Sequence, residues 1–483
     1  MQKIKDLVNI FNNNQKKLIS FYKDLFEKIT ANKKYNFFIE LYIEEVMKKI
    51  KSPLFYKKYK NKPLFGVPFF LKDNFTVNGK ITSAGSKILE GFIPNFDSTV
   101  HKLLTDDGAI LLGKTIMDEL AMGATGLEAK EGYVLNNLDT NRIVGGSSSG
   151  SAVSISLKVA SFALGSDTGD SVRRPASFLG IVGFKPTFGL ISRFGLLPFS
   201  PSLDTVAFFS NSISDARMIS KTLFHFDSKD FVCQKNPKLI LNKRVDSKIH
   251  KILILKPHSK SVKKENNDFF NDNFVVKIIN EGFNVSYLSL PDEITTNLLF
   301  FYQIISFSES LSSQANLTGI NFGFNHKNHQ ESDFNELIKT NRSLAFRKEL
   351  KRRYTLGSFF TQQENQKTFY LKAMKFRRYL NDYFNELFNK FDFIIHLSTF
   401  DVAPTIEEVL KEKHNKTLVT SINDYLIIAN FLGLPSINLP LTKKKDLPIG
   451  INVFTRFNDD YFLLNFAEIL EKIIIFKKNK INN

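Results

Sequence analysis

The chain has 483 residues, 43% of them hydrophobic and 24% charged, with 49 Phe and no Trp; it has ample length for a large core and lies far from the composition of a disordered chain. A single cysteine, Cys233, rules out an internal disulfide and a CxxC metal site, and points to a reducing, cytoplasmic compartment. The net charge of +18 is uneven: residues 1–62 carry 15 Lys/Arg against 6 Asp/Glu, residues 63–212 carry 12 against 13, and residues 213–483 carry 39 against 29, a spread that favours solvated basic surface over a dedicated nucleic-acid face.

Residues 1–62 read as an N-terminal helical segment. Leu18, Phe21, Tyr22, Leu25, Phe26 and Ile29 follow the spacing of an amphipathic helix, with a shorter stripe of Ile4, Leu7, Val8 and Phe11 before the Asn12–Asn14 break. Such stripes need a partner surface, either the chain's own core or another protein. Charges break the first apolar stretch, so it does not read as a signal peptide. The longest uncharged apolar stretch, Tyr425 to Leu441, is interrupted by Gly433, Pro435 and Pro440 and predicts no membrane span.

From Pro63 short apolar runs alternate with helical stretches. Phe65–Leu71, Ala109–Leu112, Ala160–Leu164 and Ile181–Phe184 predict buried strands, and Thr115–Met122 a helix. Further strands are expected at Ile252–Leu255, Val285–Leu290, Phe393–Leu397 and Ile449–Phe454. Residues 258–391 read as a largely helical peripheral region, Ile422–Phe431 as a helix, and a closing helix carries Phe462, Phe466, Ile469, Leu470 and Ile473 on one face. The pattern predicts an α/β fold: a large mixed sheet flanked by helices, with residues 63–483 forming the main domain.

Three motifs bear on chemistry. Gly108–Thr115 satisfies GxxxxGK[ST], but Ala109–Leu112 reads as the strand itself, which removes the strand–loop–helix context that a phosphate loop needs. GGSSSGS at 145–151 and LGSDTGDSVRRPA at 164–176 bracket a buried apolar stretch, so their glycines lie inside the fold, where inward-turned N–H groups build an anion site or an oxyanion hole. A serine nucleophile needs a base, and within residues 63–212 the only histidine is His101. Lys72, at the end of an apolar run, would lose basicity on burial and could accept a proton; the alternative is a strand-end lysine paired with Asp73. No His/Asp/Glu cluster has metal-ligand spacing.

These segments, together with GVPFFLKD at 66–73 and GIVGFKPTFGLISRFGLLPFSPSLDT at 180–205, resemble the amidase signature family in order and spacing. The resemblance implies the amidase signature fold and a Ser-cis-Ser-Lys triad, with Ser171 as nucleophile, Ser147 as bridging serine and Lys72 as base, and with the backbone of Thr168, Gly169 and Asp170 as oxyanion donors. GKTIMDELAMG at 113–123, KRRYTLGSFF at 351–360 and INDYLIIANFLGLPSINLP at 422–440 look most like the A subunits of glutamyl-tRNA(Gln) and aspartyl-tRNA(Asn) amidotransferases. That resemblance implies glutamine hydrolysis, with Arg353 holding the α-carboxylate and Asp424 the α-amino group. It also implies ammonia delivery to a tRNA-binding B subunit beside a small C subunit. Mg²⁺, ATP and tRNA would belong mainly to the partner, leaving this chain without a cofactor or metal of its own; a stand-alone amidase and a catalytically weakened scaffold are the alternatives. The chain departs from the family pattern at Asp170, usually Gly, and Arg174, usually Gln, as well as at Val144, usually Pro, and Ser149, usually Gly. Asp170 is expected to bring a negative charge beside the developing oxyanion.

Overall fold

The computed structural model describes residues 1–235, 245–246, 250–257, 266, 268, 270–326, 333–414, 425–444 and 447–475. Eleven strands form one mixed sheet in the order β1-β3-β2-β4-β6-β5-β10-β11-β9-β7-β8. They are β1 (Phe38–Leu41), β2 (Pro68–Lys72), β3 (Ile110–Thr115), β4 (Phe162–Asp167), β5 (Val182–Lys185), β6 (Thr205–Ser210), β7 (Lys251–Lys256), β8 (Asn284–Ser289), β9 (Phe393–Leu397), β10 (Ser436–Lys444) and β11 (Leu447–Phe454). Strand β2 runs parallel to β3 and β4, and β7 runs parallel to β8 and β9, whereas β4–β6, β6–β5, β5–β10, β10–β11 and β11–β9 are antiparallel.

Strand alternation shows why helices cover both faces. Ile252 and Ile254 of β7 enter one apolar cluster with the closing helix Asp460–Ile475, while their neighbours Leu253 and Leu255 enter a second with the helices Leu298–Ser313 and Tyr370–Phe388. Strands buried on both sides need apolar residues at every position, and this is why they read as continuous runs.

The N-terminal stripes find the chain's own core. Leu18, Tyr22, Leu25, Phe26 and Ile29 of the helix Gln15–Ala31, with Ile4, Leu7, Val8 and Phe11 before it, are buried in the first cluster, and the Tyr22 hydroxyl donates to Gly66 O at 2.9 Å. The same segment supplies β1, which pairs antiparallel with β3.

Thr115–Met122 is not the predicted helix. Thr115 ends β3, only Glu119–Ala121 forms a short 3₁₀ turn, and Leu120 and Ala121 take positive φ. The cause is tertiary: Ile116 N donates to Phe37 O, and the Asp118 carboxylate accepts Gly126 N at 3.1 Å and Glu128 N at 2.9 Å. These contacts fold the segment into a loop. The phosphate-loop match lies in strand β3, and its Lys114 pairs with Asp73 at 3.1 Å.

Candidate active site

Three parallel strands deliver the site residues to one end of the sheet. Register pairs Leu71 of β2 with Leu164 of β4, so Lys72, the last residue of β2, comes abreast of Gly165–Ser166, and the chain leaves β4 directly into residues 168–171. The carboxyl ends of parallel strands are where α/β sheets place their chemistry. Strand β3 ends alongside and leads to Asp118.

Lys72 is fully buried. Its Nζ donates to Ser147 Oγ at 2.7 Å and to Ser166 Oγ at 2.9 Å, and Asn74 Nδ2 donates to the same Ser166 oxygen at 3.0 Å. Burial lowers its pKa from 10.5 to about 7, against the opposing pull of Asp118, Asp167 and Asp204. Asp73 is not its partner: its carboxylate takes Lys114, Ser83 N and the Ser83 hydroxyl instead.

Ser147 follows a cis peptide bond, Gly146–Ser147. Its loop is pinned by Gly146 N to Ala124 O and by Asp118 N to Ser147 O. The flanking glycines are required by close approach. A Cβ on Gly146 would lie 1.9 Å from Asp118 Oδ2, and one on Gly150, at the start of the helix Ser149–Ser156, would lie 2.2 Å from Phe37 O and 2.7 Å from Ile116 O.

Ser171 ends the loop that follows β4, and its carbonyl accepts Ser148 N at 3.3 Å, which joins the two motifs. The triad is closed on one side only: the Lys72–Ser147 hydrogen bond is made, whereas no hydrogen bond joins the Ser147 and Ser171 hydroxyls among the described residues. Catalytic hydrogen bonds of this type are often long without substrate and tighten when it binds.

The loop's shape is set by a buried ion pair. Asp167 accepts Val172 N and Arg173 N, and takes the Arg173 guanidinium at 2.8 and 3.1 Å. Arg173 also donates to Gly169 O, Leu426 O, Ser436 Oγ and Asn430 Oδ1. Burial alone would raise the Asp167 pKa, but these donors hold it at about 2. With its ends so fixed, the loop leaves the backbone N–H groups of Thr168, Gly169, Asp170 and Ser171 without an acceptor among the described residues. The Thr168 hydroxyl donates to Asp204 at 2.7 Å. The expected charge at Asp170 is present but matched, since its carboxylate forms an ion pair with Arg174.

A sequence model of the family described as Amidase matches residues 22–464. The chain belongs to the amidase family. It is 39% identical over 428 residues to the glutamyl-tRNA(Gln) amidotransferase A subunit of Mycoplasma pneumoniae, covering 86% of this chain and 88% of that protein. A relative of the same description from Mycoplasma genitalium is 37% identical, covering 92% and 93%. Among solved structures, the glutamyl-tRNA(Gln) amidotransferase A subunit of Thermotoga maritima superposes with a TM-score of 0.77 at 26% identity, covering 98% of this chain and 94% of that one. Peptide amidase from Stenotrophomonas maltophilia shares the fold, with a TM-score of 0.78 at 22% identity and coverage of 98% and 97%.

Against this amidase framework, the two predicted substrate ligands fare differently. Arg353 lies on the helix Lys348–Thr361, its guanidinium over the Phe307 ring at 5.3 Å and its Nε donating to Glu349 at 3.1 Å. Its two Nη nitrogens have no partner among the described residues. Asp424 lies outside the described residues. Sequence reasoning misses Ser166, Asn74 and Tyr302. Tyr302 packs so closely on Gly169 that a Cβ there would meet its hydroxyl at 2.9 Å, and burial raises its pKa while the charges of Arg353, Asp204, Asp167 and Arg174 act on it. Tyr302 thus lies between Arg353 and the Ser171 loop. Ser166 stands inside the GSDTGDS motif, which is a signal that could have found it; Tyr302, in an apolar helix, carries none. Among the described residues, no group of three or more His, Cys, Asp or Glu could hold a metal ion, and no helix is long and apolar enough to cross a membrane.

Proposed function

We propose that this chain is the glutaminase component of a cytoplasmic tRNA-dependent amidotransferase, working by a Ser-cis-Ser-Lys mechanism. Lys72, as a neutral amine, takes a proton from Ser147 Oγ, which takes one from Ser171 Oγ as that oxygen attacks the glutamine carboxamide. Backbone N–H groups of residues 168–171 receive the oxyanion. The C–N bond breaks as the proton returns along the same path to the leaving nitrogen. Ammonia departs, and water hydrolyses the Ser171 ester to glutamate.

The observation that carries the reading is the fully buried Lys72 amine, at a pKa of about 7, hydrogen-bonded to Ser147. A base poised near neutrality suits proton transfer at physiological pH. Arg353 is assigned to the α-carboxylate of glutamine, for which its Nη fork is suited, and Asp424 to the α-amino group. The names of the relatives support a partner that binds tRNA and uses ATP and Mg²⁺, with a small third component. Ammonia release from glutamine, asparagine and simple amides, by the chain alone and in its native complex, tests the proposal. Glutamine is expected to be preferred, with activity raised by the complex and lost in Ser171→Ala; glutamine hydrolysis that persists in Ser171→Ala overturns it.

A further inference from the structure

The loop that carries Ser171 holds two acids and is followed by two arginines. Asp167 and Arg173 satisfy one another completely, with Arg173 committed to Asp167, Gly169 O, Leu426 O, Ser436 and Asn430. Nothing of Arg173 remains for Asp170. Asp170 directly precedes Ser171, its own N–H is one of the four without an acceptor among the described residues, and its side chain is nearly buried. An uncompensated carboxylate there would oppose negative charge on any carbonyl oxygen approaching those N–H groups, and water is too scarce to screen it. Arg174 supplies the compensation. It lies one helical turn on, itself nearly buried, with its Nη2 on Asp170 Oδ2 and its N–H donating to Asp170 O at 2.9 Å. Asp170 and Arg174 are also the two positions within this loop and turn where the chain departs from the family pattern, one adding a negative charge and the other a positive one.

We propose that Arg174 is a positioning residue for the oxyanion site: its guanidinium neutralises and holds back the Asp170 carboxylate, so that the backbone donors of residues 168–171 face the substrate as an uncharged cradle. The inference rests on the reading of Ser171 as nucleophile, and it says that the charges at 170 and 174 function as a unit.

The test is a charge cycle with two readouts: glutamine hydrolysis in the native complex, and the rate at which a fluorophosphonate labels Ser171 in the full chain. The second reports the oxyanion environment whatever the natural amide. Arg174→Gln is expected to lower kcat and the labelling rate on the order of tenfold to a hundredfold while leaving KM near that of the parent, because the oxyanion forms only in the transition state. Adding Asp170→Gly to Arg174→Gln is expected to restore most of the loss, which a purely structural role for Arg174 would not allow. Should Arg174→Gln fail to fold, Arg174→Lys keeps the positive charge without the fork: a loss of no more than about threefold is expected, and a loss as large as tenfold counts against charge compensation. An Arg174→Gln enzyme as fast as the parent, or a double variant no faster than the single, overturns the proposal. A parent that hydrolyses no glutamine but whose labelling follows the expected pattern sinks the substrate reading and leaves the role of Arg174 standing; a parent whose Ser171 neither reacts nor labels sinks both.

Discussion

Replacing Lys72 with Met is expected to stabilise the protein while abolishing its activity. Burial, opposed by Asp118, Asp167 and Asp204, brings the Lys72 pKa from 10.5 to about 7. At about 1.4 kcal/mol per pH unit, holding the amine at this position costs roughly 5 kcal/mol below neutrality relative to an ordinary lysine. Methionine fills a similar volume without a charge. Against that gain stands the Ser147 hydroxyl, which loses its partner at a cost of about 1–3 kcal/mol, whereas Ser166 keeps its hydrogen bond from Asn74. The expected net gain is about 2–4 kcal/mol near neutral pH. Its pH dependence has a definite sign. Between about 7 and 10.5 the unfolded chain holds a proton on Lys72 that the folded chain has released, so the parent grows more stable as pH rises through that window. The advantage of Lys72→Met is therefore greatest below pH 7 and shrinks above it. Urea unfolding of both proteins at pH 6.5 and pH 9 measures this. A variant less stable than the parent at pH 6.5, or an advantage that does not shrink by pH 9, refutes the argument from burial.

The same amine sets the acid limb of catalysis: kcat/KM for glutamine is expected to rise with pH to a plateau above about 7, and at pH 6 to be roughly tenfold below the plateau, where about one Lys72 in ten is neutral. Ser166→Ala removes an acceptor from the ammonium form and disfavours it, so the acid limb is expected to move to lower pH in a full pH–rate profile. Arg173→Met strands the buried Asp167 carboxylate and is expected to cost about 3–5 kcal/mol in denaturant unfolding; the further change Asp167→Asn should return part of it.

How far the sequence can be read follows from which contacts are local. Continuous apolar runs announce β2, β3, β4, β5, β7, β8, β9 and β11 because both faces of those strands are covered. Strand β10 escapes such a reading. It contains Pro440, ordinarily a mark against a strand, and the ladder with β11 shifts register there to accommodate it. Strand β6, Thr205–Ser210, escapes it as well: it begins directly after a turn, within a stretch legible only as motif. The misreading of Thr115–Met122 has the converse cause. Its apolar spacing is helical, but the Asp118 carboxylate gathers N–H groups eight and ten residues away, and no periodicity reports that. At the site, motif order identifies Lys72, Ser147 and Ser171. The contact of Lys72 with Ser166 depends on the parallel register of β2 and β4, and that of Tyr302 with Gly169 on how a distant helix packs.

Two buried lysines near the ends of adjacent strands show what separates a base from a brace. Lys114 and Lys72 are both almost fully buried, and burial lowers the pKa of each. Lys114 meets the Asp73 carboxylate at 3.1 Å, a partner that favours its charged form. Lys72 meets only hydroxyls, Ser147 and Ser166, among the described residues. The carboxylates that act on it from a distance are each occupied elsewhere: Asp118 by Gly126 and Glu128, Asp167 by Arg173, and Asp204 by Thr168, Phe199 and Ser200. Had any of them turned to Lys72, a direct ion pair would hold it as an ammonium ion with no lone pair to receive a proton. The polar contacts that shape the surrounding loops therefore also keep the amine free of a counter-ion, and architecture and basicity at this site follow from one set of hydrogen bonds.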